Sequence, residues 1–258
     1  MASFANGTVE AVVSGSGPAV WIFHSLLADA GSCAPLAQAL GDRFTVTLPH
    51  LPGFGGSVAT APALDAVADR MAAAVGDAGS PVAIIGNGYG SFVALVLALR
   101  HPALVERLVL AGTGAAFDEL GRQAFRGMAA AVTDGGLPAI ADVAMRRLFA
   151  SAFQDAHPVL MEHRRDAFLA TNPVVFRGAC DALAALDLRG AVAALKPPLL
   201  ALAGEGDEAT PPAMARELAA LVPGARFALL PGLAHVPQLQ DTPQFLAAIE
   251  GFLTQAPL

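Results

Sequence analysis

Residues 81–95 read Pro81-Val82-Ala83-Ile84-Ile85-Gly86-Asn87-Gly88-Tyr89-Gly90-Ser91-Phe92-Val93-Ala94-Leu95. The first five form a short apolar run of the kind a buried strand shows, and the last five fit a helix. Between them, glycine falls at every second position. A strand, a very tight turn and a helix suit three uses: a nucleotide-binding turn, a nucleophile elbow that presents one side chain at its tip, or simple punctuation. Spacing speaks against the first. Gly86, Gly88 and Gly90 give G-x-G-x-G without the third glycine of G-x-G-x-x-G, and no acidic residue marks the end of the next strand. Read as an elbow, normally Gly-x-Ser-x-Gly, the stretch has Gly86 and Gly90 in place and Gly88 where the serine belongs.

The flanking chain repeats the same alternation. On the N-terminal side, Asn6-Gly7 signals a hairpin turn into a strand at 8–13, and apolar runs follow at 19–24 and 44–48. On the C-terminal side, strands are predicted at 105–111, 198–203 and 226–230. Leu64, Val67, Met71 and Val75 share one face of a predicted helix over 63–77. In the last helix Thr242 is the predicted N-cap, Pro243 the first helical residue, and Phe245, Ile249 and Phe252 the apolar stripe. Such alternation predicts an α/β fold with a mostly parallel, twisted sheet and helices on both faces. Residues 117–195 show helical patterns and no strand, far beyond the roughly 2–6 residues of an ordinary αβ connection. They are expected to form a helical cap inserted into a core made of 1–116 and 196–258.

Composition narrows the function classes. With 258 residues, 55 % hydrophobic and 14 % charged, the chain can bury a sizeable core and is not disordered. A net charge of −7 argues against a nucleic-acid surface. The longest apolar run, 92–99, is well short of the roughly 18 residues a membrane helix needs, and residues 1–7 lack the pattern of a signal peptide. Cys33 and Cys180 give no disulfide framework and no metal-ligand spacing. The expectation is a cytoplasmic protein without metal or cofactor, acting on a small molecule rather than on nucleic acid or a membrane. Association into a homo-oligomer is compatible with all of this.

Two downstream loops decide between the readings of the glycine turn. The strand at 198–203 runs into Gly204-Glu205-Gly206-Asp207, and the strand at 226–230 into Pro231-Gly232-Leu233-Ala234-His235. Taken singly, Asp207 is a helix cap and His235 an ordinary loop histidine. Taken together after an elbow, they have the order nucleophile, acid, base, each following the C-terminal end of a strand, and Gly88, Asp207 and His235 become the candidate catalytic positions. Backbone N–H groups of Leu26, after the strand ending in His24, and of Tyr89, after the elbow tip, are the candidate oxyanion hole. His24 is expected to order its loop. Ser25 is placed near the site as a substrate contact, although the sequence alone cannot orient its hydroxyl. Phe149, Phe153 and Phe168 in the cap suit an apolar ligand or the packing of cap on core.

The elbow, Leu48-Pro49-His50-Leu51-Pro52-Gly53-Phe54-Gly55-Gly56-Ser57, the Asp207 loop and the His235 loop together resemble the α/β-hydrolase-fold superfamily across the whole chain. Within it, Asn172-Pro173, Ala179-Cys180-Asp181-Ala182-Leu183, Leu186-Asp187-Leu188-Arg189 and 209–218 resemble 3-oxoadipate enol-lactonases. That resemblance implies a carboxylic-ester or lactone hydrolase of the serine type. Two positions depart from it: His50 stands where the family usually has an acidic residue, and Arg147-Leu148 where it has Arg-Trp. Arg147 is a candidate contact for a substrate carboxylate, or part of a solvated helix face with Arg146.

Gly88 cannot attack a carbonyl, and three readings follow. In the first, a hydrolase has had its serine replaced, and Gly88→Ser is expected to restore ester hydrolysis. In the second, His235 and Asp207 act as a general base with no covalent step. In the third, the lidded pocket binds a small ligand without turning it over.

Overall fold

In the computed structural model, which describes residues 1–79 and 81–255, strands and helices follow one another as the apolar runs predict. The order begins β1 (Ala2–Phe4), β2 (Val9–Gly15), β3 (Ala19–Phe23), α1 (Ala34–Leu40), β4 (Thr45–Pro49) and α2 (Leu64–Asp77). It continues through β5 (Val82–Asn87), α3 (Tyr89–Arg100) and β6 (Val105–Ala111). Five helices come next: α4 (Glu119–Gly135), α5 (Ala141–Leu148), α6 (Ser151–Ala156), α7 (Pro158–Leu169) and α8 (Pro173–Ala185). The chain closes with β7 (Leu199–Gly204), α9 (Pro212–Leu221), β8 (Arg226–Leu230), α10 (Pro237–Gln240) and α11 (Thr242–Leu253).

The strands form one sheet in the order β1-β2-β4-β3-β5-β6-β7-β8. The first two contacts are antiparallel and the remainder parallel. Every residue of β5 and β7 is buried, which is why β5 up to Gly86 and β7 throughout read as continuous apolar runs rather than as alternating ones. The two-residue period then divides the core. Val20 and Ile22 of β3 join Leu36 and Leu40 of α1 and Phe245, Ile249 and Phe252 of α11 on one face. Trp21 and Phe23 join Met71 of α2 and Phe92 of α3 on the other.

Local details differ at two ends. β1 was absent from the sequence reading: three residues, Ala2-Ser3-Phe4, are too few to establish a period, and it exists because the turn through Ala5 and Asn6, both at positive φ, folds it back onto β2. The N-cap of α11 is Asp241, whose carboxylate accepts from the Gln244 N–H, whereas Thr242 is the first helical residue and donates its hydroxyl to the Gln238 carbonyl. Aspartate outcompetes threonine here because its acceptor reaches the exposed N–H groups of the first turn.

The β5–α3 turn requires close backbone approach. A Cβ on Gly90 would lie 2.4 Å from the Phe23 carbonyl oxygen, and one on Gly86 would lie 2.6 Å from Ser91 Cα. Backbone cannot yield as a flexible side chain does. Gly90→Ala is therefore expected to destabilise the protein by about 3 kcal/mol, read as a lower midpoint in urea unfolding. An unchanged midpoint would show that β3 and α3 can separate at little cost.

Candidate active site

The sheet brings two loops together at the point where the chain reverses direction across it. From β3 the chain first moves outward to β4 and then returns to β5 on β3's other side. Loops leaving the C-terminal ends of β3 and β5 thus diverge over a crevice, the usual ligand position in open parallel sheets. Phe23 pairs with Gly86, so Ser25 and Gly88, each two residues further on, arrive side by side. Gly88 has φ +52° and ψ −120°, a left-handed conformation that favours glycine. A Cβ built there would sit 2.5 Å from Ser25 Oγ and 2.7 Å from His235 Nε2.

His235 and Asp207 meet as the loop order anticipated. His235 Nδ1 lies 3.0 Å and 3.1 Å from the two carboxylate oxygens of Asp207, with both side chains buried. Burial alone would raise the Asp207 carboxyl. The facing His235 and hydrogen bonds from His235 and Thr210 outweigh it and hold the group below the usual carboxylate range. Oδ1 accepts the N–H groups of Ala209 and Thr210, both at 2.9 Å, and Oδ2 accepts the Thr210 hydroxyl at 2.7 Å. On its other edge the imidazole faces Ser25, with Oγ 3.1 Å from Nε2. An acid fixed on Nδ1 leaves Nε2 as the acceptor for a hydroxyl proton.

Several supporting residues escaped the sequence reading. Asn87 Nδ2 donates to the His235 carbonyl at 2.7 Å, and Gln238 Nε2 donates to Asn87 Oδ1 at 3.2 Å. Gly112, after β6, makes room for the pair: a Cβ there would lie 2.8 Å from Thr210 Oγ1 and 3.2 Å from His235 Cε1. The signal for Asn87 and Thr210 was their polarity within otherwise apolar or proline-rich stretches. Gly112 and Gln238 carried none.

A cavity of about 420 Å³ opens over these residues, lined by Ser25, Gly88 and His235 at its base and by α4 and α9 side chains above. Leu26 and Tyr89 also line it. Among the described residues, neither of their N–H groups has a hydrogen-bond acceptor, as an oxyanion hole requires. Arg147 reaches the cavity and has no carboxylate partner among the described residues. Phe149 lies outside this lining and instead borders a second cavity, together with Arg147 and Glu208. It leaves α5 in an extended conformation, is 2 % exposed, and packs on Phe153, 5.1 Å away between ring centres. Ser91 is buried, with its hydroxyl committed to the Gly88 and Gly112 carbonyls. Burial pushes the thiols of Cys33 and Cys180 up to about 11 and about 12, so neither supplies a ready thiolate.

His24 holds the Ser25 loop in place. Its ring Nδ1 faces the Ser25 carbonyl at 3.0 Å, and Nε2 accepts the Leu51 N–H at 3.2 Å, which fixes a neutral ring. Burial lowers its pKa from 6.5 to about 4. The folded state thus binds fewer protons than the unfolded state between these values, and stability falls as pH drops through that window. The loss should reach roughly 3 kcal/mol between pH 7 and pH 4. Urea unfolding across this range should show it, and the slope should flatten in His24→Gln. An equal slope in both proteins would assign the acid sensitivity elsewhere.

Sequence and structure comparisons agree with this architecture. Residues 18–242 match the family model described as alpha/beta hydrolase fold. The chain is 31 % identical over 248 residues to a pimeloyl-[acyl-carrier protein] methyl ester esterase of Aromatoleum aromaticum, covering 92 % of this chain and 93 % of that one. It superposes on the enol-lactonase of Burkholderia xenovorans LB400 with a TM-score of 0.91 at 25 % identity, covering 98 % and 99 % of the two chains. A thermophilic esterase from Thermogutta terrifontis gives a TM-score of 0.86 at 25 % identity, covering 95 % and 92 %. With the family model spanning residues 18–242, this protein belongs to the α/β-hydrolase-fold family of hydrolases and esterases.

Proposed function

We propose that the protein hydrolyses small carboxylic esters or lactones, with the His235–Asp207 pair as the base and the Leu26 and Tyr89 N–H groups as the oxyanion hole. The buried His235–Asp207 pair, facing a cavity through Nε2, carries this reading. The pair is backed by Thr210, Asn87 and Gln238, contacts that suit a base and that ligand binding alone does not require. The helices between β6 and β7 serve as the cap that shields the reaction from water.

The cavity wall favours an uncharged substrate. Leu26, Leu27, Phe92, Phe125, Met128 and Met214 supply the apolar surface. Arg147 is joined by Asp118, Glu208 and Glu217, so the charged groups are acidic on balance. A substrate carboxylate paired with Arg147 would also face these acids, which weighs against the charged lactone that the enol-lactonase likeness suggests. A panel of short p-nitrophenyl esters, methyl esters and neutral or carboxylated lactones tests the proposal. Turnover of the neutral members is expected, and no hydrolysis across the panel would overturn it.

A further inference from the structure

Gly88 leaves the elbow without a nucleophile, yet the space a serine side chain would use there is filled. The hydroxyl of Ser25 occupies it. Ser25 Oγ sits 3.1 Å from His235 Nε2, and a Cβ on Gly88 would fall 2.5 Å from that same oxygen. Ser25 is 1 % exposed but lines the floor of the cavity. Other candidates are spoken for. Ser91 donates to two carbonyls, and the Thr210 hydroxyl lies on the Nδ1 edge of the ring, bonded to Asp207. The hydrogen-bond chain Ser25–His235–Asp207 therefore has the composition and sequence of contacts of a catalytic triad, with its serine carried by the β3 loop instead of the elbow.

We propose that Ser25 is the nucleophile of this enzyme; the inference rests on the hydrolase reading above. Ser25 Oγ attacks the ester carbonyl carbon as its proton passes to His235 Nε2, and the carbonyl electron pair moves onto oxygen. The N–H of Leu26, now the residue after the nucleophile, and that of Tyr89 stabilise this oxyanion. Collapse breaks the bond from carbon to the leaving alcohol oxygen, which takes the proton from His235. Water then gives a proton to His235 and attacks the acyl group on Ser25. Release of the carboxylic acid returns the proton to Ser25. One ester and one water become one acid and one alcohol.

His24 is a positioning residue in this scheme, because it holds the Ser25 carbonyl and the Leu51 N–H at the same time. The register explains why the exchange is feasible: Phe23 and Gly86 are paired neighbours, so a hydroxyl two residues past either one reaches the same imidazole. A side chain at 25 and one at 88 compete for a single place.

Diisopropyl fluorophosphate tests this on the full chain without knowledge of the natural substrate, since it phosphorylates an activated serine directly. The expected result is one adduct per chain, placed on Ser25 by peptide fragmentation, with ester turnover lost in step. Ser25→Ala should take no adduct and lose turnover by on the order of 10³-fold or more at an unchanged melting temperature. An adduct on any other residue overturns the proposal. So does His235-dependent turnover with no adduct and with Ser25→Ala within tenfold of the parent; that result keeps the hydrolase reading and assigns attack to water. A protein that neither reacts with the fluorophosphate nor hydrolyses any ester overturns both. Mapping on the unaltered chain decides the matter even where Ser25→Ala folds poorly.

Discussion

His235→Ala is expected to lower kcat for ester hydrolysis by on the order of 10⁴–10⁶ while leaving the fold in place. The size follows from the roles proposed for one ring. Nε2 takes the Ser25 proton, returns it to the leaving group and then activates water, so its loss removes the base from both half-reactions. The fold should survive because Asp207 keeps three other donors, the Ala209 and Thr210 N–H groups and the Thr210 hydroxyl. The Asn87 bond also runs to the His235 backbone, which alanine retains. Asp207→Asn should cost on the order of 10⁴, because an amide can hold the ring but cannot stabilise its charged form. Steady-state kinetics with matched circular dichroism measure both. Turnover of His235→Ala within tenfold of the parent would remove the pair from the mechanism.

Gly88→Ser is expected to depress turnover by about 10²-fold, the reverse of the first of the three readings the sequence leaves open. On that reading, a serine at the elbow tip completes Gly-x-Ser-x-Gly and restores the enzyme. In the folded protein the new Cβ would stand 2.5 Å from Ser25 Oγ, 3.1 Å from Ser25 Cβ and 2.7 Å from His235 Nε2. Real Cβ atoms essentially never come within 3.0 Å of a heavy atom beyond their chain neighbours, so the two shorter contacts, to Ser25 Oγ and His235 Nε2, must open and the Ser25–His235 hydrogen bond must give way. An L side chain at φ +52° adds strain of about 1–2 kcal/mol. Ser25→Gly combined with Gly88→Ser relieves two of the three collisions and leaves the third, with the imidazole, to relax into a hydrogen bond. The double variant should therefore exceed either single variant in turnover. Restored activity from Gly88→Ser alone would mean that Ser25 is a spacer and the elbow the true seat of the nucleophile.

Much of the architecture was written in local pattern. Residues 226–230 read as a strand and are β8, and 105–111 read as a strand and are β6. Continuous apolar runs announce strands buried on both faces, and the one-sided stripe of Leu64, Val67, Met71 and Val75 announces a helix against a sheet. β1 was illegible because three residues are too few to show a two-residue period and pair only after the hairpin has formed. Phe149 could not be placed from sequence, because a phenylalanine in a helical layer packs inward as readily as it lines a pocket, and only its neighbours choose between them.

Residue types and their order after successive strands were enough to bring forward Asp207, His235 and Gly88 as candidate positions, and the folded chain places the three together. Parallel strands carry their following loops to one edge of the sheet, so linear order maps onto spatial proximity there. What linear order cannot carry is register and side-chain direction. Whether the Ser25 hydroxyl meets His235 depends on Phe23 lying beside Gly86, on His24 fixing the loop, and on the absence of a Cβ at Gly88. These are distances of about 3 Å between residues separated by dozens to hundreds of positions. They exist only once the sheet has closed and excluded water from the space between its loops.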